Sequence, residues 1–304
     1  MSTEGGTKAI VAALIANTGI AVSKFIAAGI TGSASMLAEG VHSVADAANQ
    51  VLLLIGGKRS RRAANAAHPF GFGRERYIYA FIVSIVLFSV GGAYALYEGY
   101  HKLLDPHEVS SPMVAIVVLV IAIVLEAFSL RTAVKESNAV RGKQTWVQFI
   151  RRAKSPELPV VLLEDIGALV GLIAALFGVG LTMITHDPIF DALGTLVIGV
   201  LLVCIAIVLA TEIRSMLIGE SASAEDIAAI EAAIRAEDGD LIHMKTLHIG
   251  PDEILLAAKI AVTDSESGAQ IAAEIDATEE RIRAAVPTVT QIYLEPDIKL
   301  VAAK

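Results

Sequence analysis

The sequence predicts an all-α domain of six transmembrane helices followed by a small cytoplasmic α+β domain. Three observations predict it. Six apolar stretches are each long enough to cross a bilayer. The Lys and Arg residues between them fall almost wholly on one side. From residue 214 onward the apolar runs stop and the chain turns acidic. The 304 residues are 55% hydrophobic and only 18% charged, with a mean hydropathy of +0.64. A soluble domain carries roughly 25% charged residues, so a wholly soluble globule is excluded. Residues 1–213 hold 16 Lys and Arg against 15 Asp and Glu, whereas 214–304 hold 8 against 17. Two domains follow, 1–213 and 214–304.

The six predicted spans are about 9–30, 36–57, 77–100, 112–131, 159–184 and 189–212. The opening residues lack the basic stretch of a secretory signal, so the first stretch is expected to stay as a span. The connector 58–76 carries Lys58, Arg59, Arg61, Arg62, Arg74 and Arg76, and 135–158 carries Lys135, Arg141, Lys143, Arg151, Arg152 and Lys154. The connectors on the other side hold Lys102 alone. Both basic loops, and both termini, are therefore predicted to be cytoplasmic. Pro156, Pro159 and Pro188 punctuate the last two spans. Cys204, the single cysteine, excludes a disulfide framework and reads as a small hydrophobe within its apolar run.

The tail alternates differently. Ala224–Ala236 sets Ile227, Ile230 and Ile234 on one helical face. His243–Ile249 and Ile254–Val262 are β-prone runs separated by Gly250, Pro251 and Asp252, a hairpin signal. Ser267–Ala285 reads as a helix and Val289–Leu294 as a last strand. Helix–strand–strand–helix–strand predicts helices packed on one face of a sheet.

Charge inside the membrane is costly and points to function. On the second span Glu39, His42, Asp46 and Asn49 fall on one narrow stripe at about 100° per residue. His42 and Asp46 are one turn apart on the same face and supply two of the four ligands of a tetrahedral zinc site. Glu39 and Asn49 suit a supporting or structural part, Asn49 by bonding another helix. The fifth span carries Glu164 and Asp165, which point about 100° apart. Asp165 can face the second span while Glu164 leans to its flank or to another helix. An imidazole and two carboxylates facing each other repel unless a cation or protons intervene. Metal entering as protons leave satisfies that condition, because metal ligands must be deprotonated, and histidine titrates near neutral pH. The expected activity is metal–proton antiport by alternating access.

The stretches GSASMLAEGVHSVADAANQ (32–50), HPFGFGRERY (68–77), LLEDIGALVGLIAA (162–175), DPIFDALGTLVIG (187–199) and IYLEP (292–296) together resemble the cation diffusion facilitator family. The VHSVADAANQ and VLLEDIGALVG pair is most similar to the branch that includes the mitochondrial zinc transporter of animals. The resemblance covers almost the whole chain. It implies a homodimer in the bilayer, a ferredoxin-like, metallochaperone-like tail that dimerises, and export of zinc from the cytoplasm in exchange for protons. It also implies a four-ligand site between the second and fifth spans. His42 and Asp46 match the second-span pair and Asp165 the last fifth-span ligand. Where the family usually has its other fifth-span ligand this chain has Val161, so Glu164 or water completes the site. An oxygen-richer site tolerates manganese or iron as well as zinc.

His68 matches a loop position that binds a second metal in some relatives, but its companions here are Asn65 and Phe72, and the loop's Pro and Gly residues are expected to shape a turn. In the tail, where relatives hold His and Asp ligands for regulatory metals, the resemblance sets Lys259, Gln270 and Tyr293 in their places and leaves Glu295 as the one surviving candidate ligand. His243 and His248, five apart on a strand, point to opposite faces. Lys24, Glu98, Glu126 and Asp191 read as interhelical pairs or snorkelling groups. With no HExxH pair and no GxSxG elbow, an intramembrane hydrolase is disfavoured. A metal sensor built on the tail lacks ligands, and a channel conflicts with a tight histidine-containing site. The sequence thus points to a multi-pass protein of a bacterial plasma membrane that is not an enzyme, with no organic cofactor and no nucleic-acid partner.

Overall fold

The computed structural model of the chain describes residues 3–31, 34–105, 111–236 and 240–298, with side chains described for all of these except 3–5, 31, 34–39, 41 and 42. It divides into two compact units. One comprises residues 1–59 and 75–214, the other residues 60–74 and 215–304.

The first unit is helical. Its elements are α1 (Thr3–Thr31), α2 (Ala34–Ser60), α3 (Glu75–Val86), α4 (Tyr94–Leu104), α5 (Pro112–Arg141), α6 (Trp146–Arg152), α7 (Glu157–Thr185) and α8 (Ile189–Ile218). Among the described residues, five helical runs are long and apolar enough to cross a membrane: Gly6–Ile30, Glu75–Leu104, Pro112–Arg141, Glu157–Thr185 and Ile189–Ile218. The expected second span is a helix too, but α2 carries Asp46, Asn49 and Gln50 near its middle and Lys58 and Arg59 in its last turn. It is the polar member of the set.

α3 runs into α4 through a π-helical turn, Leu87–Ala93, containing the pair Gly91 and Gly92. A Cβ on Gly92 would lie 2.7 Å from Val203 Cγ2 and 3.0 Å from its backbone nitrogen. α8 can approach that turn only because the side chain is missing. α5 continues ten residues beyond the predicted end at 131, to Arg141. The basic connector after it contains α6, started by a capping box in which Gln148 N donates to Thr145 Oγ1 and Thr145 N to Gln148 Oε1. Capping of this kind satisfies helix-end donors locally, which is why so short a helix holds.

α1, α5 and α7 pack against one another. The buried stripe of α5 is Ala115, Val118, Ala122, Glu126, Ser129, Ala133 and Ser137, spaced three and four apart. Mostly small residues on this face let the neighbouring backbones close in. α3 and α7 are clasped at their first turns. Arg76 donates through Nε to Glu157 Oε1 and through Nη2 to Glu157 Oε2, the latter at 2.9 Å, and both side chains are buried. Tyr77 Oη donates to the carbonyl of Lys154 at 3.1 Å. Asp191 is ion-paired with Lys102 at 2.9 Å, as the interhelical reading expected. Cys204 is exposed on α8 rather than buried.

The second unit has α9 (Ala224–Arg235), β1 (Asp240–Gly250), β2 (Glu253–Val262), α10 (Gly268–Ala285) and β3 (Val289–Ile298). The helix–strand–strand–helix–strand order is the one predicted. β1 and β2 form an antiparallel hairpin across Pro251 and Asp252, and β3 adds parallel to β2. Ile230, Ile234, Ile254, Leu256, Ile260 and Ile282 form the core between sheet and helices. Ser223 caps α9, and Ser267 with Gln270 makes a capping box on α10. Gly219, which follows α8, has φ +119, a conformation that a residue with a side chain adopts only under strain.

Residues 60–74 pack with this unit. A Cβ on Gly73 would meet the carbonyl of Ile249 at 2.9 Å, so the loop backbone lies directly on the hairpin. Asn65 Oδ1 accepts from the backbone nitrogens of Ala67 and His68, Gly71 has φ +80, and the His68 and Phe72 rings are 4.5 Å apart. The loop is a shaped turn. His248 is buried, with its backbone nitrogen donating to the Glu220 carbonyl at 2.8 Å, whereas His243 is exposed on the opposite side of the strand.

Candidate metal-binding site

α2, α5 and α7 bring acidic side chains into the interior of the helical unit. On α7, Glu164 and Asp165 are both buried and diverge as neighbours on a helix must. Glu164 is the one bonded to α2. Asn49 Nδ2 donates to Glu164 Oε1 and Gln50 Nε2 to Glu164 Oε2, each at 3.0 Å. Asp165, 1% exposed, turns toward α5, where Ser129 Oγ donates to its Oδ2 at 2.7 Å. The carboxyl of Glu126, 2% exposed, bonds that of Asp165 directly. Glu126 and Ser129 reach the same group because residues three apart share a helix face.

Asp46 is half-buried on α2, near enough to Glu126 and Glu164 to repel both electrostatically. Four carboxyl groups from three helices thus act on one another in the interior. The side chains of His42 and Glu39 lie outside the described residues. Among the described residues no three His, Cys, Asp or Glu side chains stand as a preformed coordination shell. Val161, in the position one turn before Asp165, is wholly buried and offers no ligand.

The predicted residues therefore separate into two environments. Glu164 has both oxygens occupied by amide donors, an arrangement that ties α2 to α7. Asp165 has one hydroxyl donor and a second carboxyl. That second carboxyl, Glu126, was the residue whose place in this cluster the sequence reading did not anticipate. The signal for it was present, since it is a lone acidic group within the apolar run of Pro112–Leu130, and such groups are functional by default. What periodicity could not supply was its direction. Gln50 was also passed over, although it adjoins Asn49 on the polar helix.

Outside the helical unit, Lys259 Nζ on β2 bonds Asp297 at 2.9 Å and Glu295 at 3.3 Å on the neighbouring strand β3. These contacts hold the Asp297 carboxyl below its ordinary range and raise the Lys259 ammonium above its own, each mainly through the hydrogen bond they share.

A family model described as the cation efflux transmembrane domain matches residues 10–218. The mitochondrial proton-coupled zinc antiporter of Xenopus laevis is 31% identical over 265 residues, covering 86% of this chain and 47% of its own length. That of Homo sapiens is 34% identical over 226 residues, or 74% of this chain and 40% of the relative. Metal tolerance protein C4 of Arabidopsis thaliana is 31% identical over 257 residues, or 83% and 56%. The chain spans less than half the length of these zinc antiporters.

Proposed function

The chain belongs to the cation efflux family, and from that premise we propose that it carries divalent metal ions across a bilayer, with zinc the favoured cargo. The observation that carries this reading is Asp165. It is an acidic group 1% exposed inside an apolar bundle, with a serine hydroxyl and another carboxyl as its bonded partners. Such a group is costly in a membrane. A cation that arrives and leaves is the simplest reason to keep it there. The cation efflux family and the names of the relatives, zinc antiporters among them, support the same reading over an enzymatic one.

In the full proposal α2 crosses the membrane as the sixth span, and its polar face meets α7 as the Asn49 and Gln50 bonds to Glu164 suggest. His42, Asp46 and Asp165 are the ligands. Glu164 keeps α2 and α7 in register while it stays bonded to its amides, and enters the shell when they release it. Two carboxyls in contact, like Glu126 and Asp165, stay together only with a proton or a cation between them. That is the condition for exchanging one for the other, and the relatives named as proton-coupled antiporters supply the analogy. The protein sits in a bacterial plasma membrane as a homodimer with both termini cytoplasmic. It exports its cargo, and its tail is a ferredoxin-like dimerisation domain. An oxygen-rich shell, with Val161 where a further ligand would stand, extends the cargo to manganese and iron.

The test is the zinc and manganese tolerance of cells expressing the wild type or His42→Ala, Asp46→Ala, Asp165→Ala or Glu164→Gln, with membrane insertion checked for each. The first three are expected to lose tolerance completely and Glu164→Gln in part. Full tolerance in inserted Asp165→Ala would refute the site. In proteoliposomes of the wild type, zinc flux is expected to follow an imposed pH gradient; flux indifferent to that gradient would refute the coupling.

A further inference from the structure

We propose that α6 lies in the headgroup layer of the bilayer and binds anionic phospholipid, with Trp146 and Val147 among the acyl chains and Lys143, Arg151 and Arg152 on the lipid phosphates. This surface is separate from the carboxyl groups of the bundle and does not depend on the cargo. The helices on either side of it, Pro112–Arg141 and Glu157–Thr185, are both long and apolar enough to cross a membrane. The connector between them therefore emerges at a membrane face. At about 100° per residue, with Trp146 as zero, Phe149 falls at about 300°, Ile150 at about 40°, Val147 at about 100° and Arg151 at about 140°. Phe149 is the buried member of the helix and Ile150 is half-buried. Trp146 and Val147 are 37% and 62% exposed. α6 thus packs one side into the protein and turns two apolar groups outward next to an arginine, the pattern of a helix lying flat in an interface. Tryptophan collects at that level.

Charge points the same way. Between Glu136 and Glu157 the chain has five Lys and Arg and no Asp or Glu. Orientation in the membrane accounts for the sign of that charge, but not for an ordered helix carrying it. The segment is held in place by its own contacts. Gly142 turns the chain out of α5 with φ +58. Arg141 donates to Asn138 Oδ1 and to the Gln144 carbonyl, and its guanidinium carbon lies 4.4 Å from the centre of the Trp146 ring. That arginine is spent within the turn. The others face outward. Arg151 stands 4.0 Å from Glu212 with its side chain 73% exposed. Lys143 and Arg152 are exposed and make no ion pair among the described residues. Three open cations beside two open apolar groups match a surface that is anionic above and apolar below, which an acidic leaflet presents. A soluble acidic partner matches the cations alone, whereas the leaflet already borders both flanking helices.

Trp146 is the chain's single tryptophan, so its fluorescence reports on this helix alone. The test reconstitutes the full chain in vesicles of phosphatidylcholine and phosphatidylglycerol in equal parts, with brominated acyl chains carried by one lipid or by the other. Bromine quenches tryptophan on contact. Quenching is expected to be at least about twofold stronger when phosphatidylglycerol carries the bromine, since one basic group at an anionic surface favours contact roughly fivefold. In the triple variant Lys143→Gln, Arg151→Gln, Arg152→Gln, with insertion checked by flotation, the two lipids are expected to quench equally. Equal quenching in the wild type would overturn the anionic preference. Quenching by neither lipid would place α6 in water or against another protein, and would overturn the proposal outright. An excess that survives in the triple variant would overturn the assignment to these side chains. If that variant fails to insert, salt decides: the wild-type excess is expected to shrink in high salt, and an excess indifferent to salt overturns the ionic contact.

Discussion

Asp165 in the helical unit and Asp297 in the tail are both aspartates with close hydrogen-bond donors, yet they live in opposite circumstances. Asp297 sits at the surface of a sheet beside the ammonium of Lys259, with water to share the charge. Asp165 sits in an apolar interior with a hydroxyl and a second carboxyl. Glu157 makes a third case in the same helical unit: buried like Asp165, but gripped by the guanidinium of Arg76 through two parallel bonds. What separates a structural carboxylate from a working one is therefore the partner as much as the burial. Glu157 has a permanent cation, and so holds two helices together. Asp165 has none among its described bonds, and so has room for a transient one.

The comparison can be broken at each of its members. Arg76→Ala carries the largest expected effect on stability, since it leaves the Glu157 charge buried and unpaired, a loss of about 3–5 kcal/mol. The purified protein should unfold at clearly lower temperature, and Arg76→Ala with Glu157→Ala together should recover part of the loss. A melt unchanged in Arg76→Ala would put Glu157 in the same class as Asp165. At the tail the expected effect is small, because exposed pairs are screened. The lowered Asp297 makes its contribution above its ordinary value of about 4 and loses it as pH falls through the lower, folded value. The raised Lys259 contributes below its ordinary value of about 10.4 and loses it as pH rises past that. Lys259→Met should therefore lower the melt slightly between those limits and flatten its acid limb. A large, sharply pH-dependent loss would mean that the pair is buried by something else in the working protein.

Legibility followed the same physics. The tail was readable element by element, because alternation and the Gly250–Asp252 turn are local signals, although β1 begins at Asp240 and β3 runs on to Ile298, beyond the predicted strands. The apolar runs located the helices, but not the π-helical turn at Leu87–Ala93 or the short helix Trp146–Arg152. The first depends on how closely α8 approaches; the second sits inside a connector read for its charge. At the site, the residue types and stripe of α2 marked Asp46, and the rarity of membrane carboxylates marked Glu164 and Asp165. Direction was not legible. Two neighbours on α7 diverge by about 100°, and only the packing of α5 and α2 decides that Asp165 meets Ser129 and Glu126 while Glu164 meets Asn49 and Gln50. Glu126 was visible as a rare residue, but its neighbourhood was not.

The central claim is that carboxylates gathered inside the helical unit hold a divalent cation, and zinc K-edge absorption of the zinc-loaded full chain tests it most directly, compared between wild type and Asp165→Asn. The account predicts a shell of oxygen and nitrogen at about 2.0–2.2 Å in the wild type that the substitution removes. A spectrum the substitution leaves untouched, or a sulfur shell near about 2.3 Å from Cys204, would contradict it.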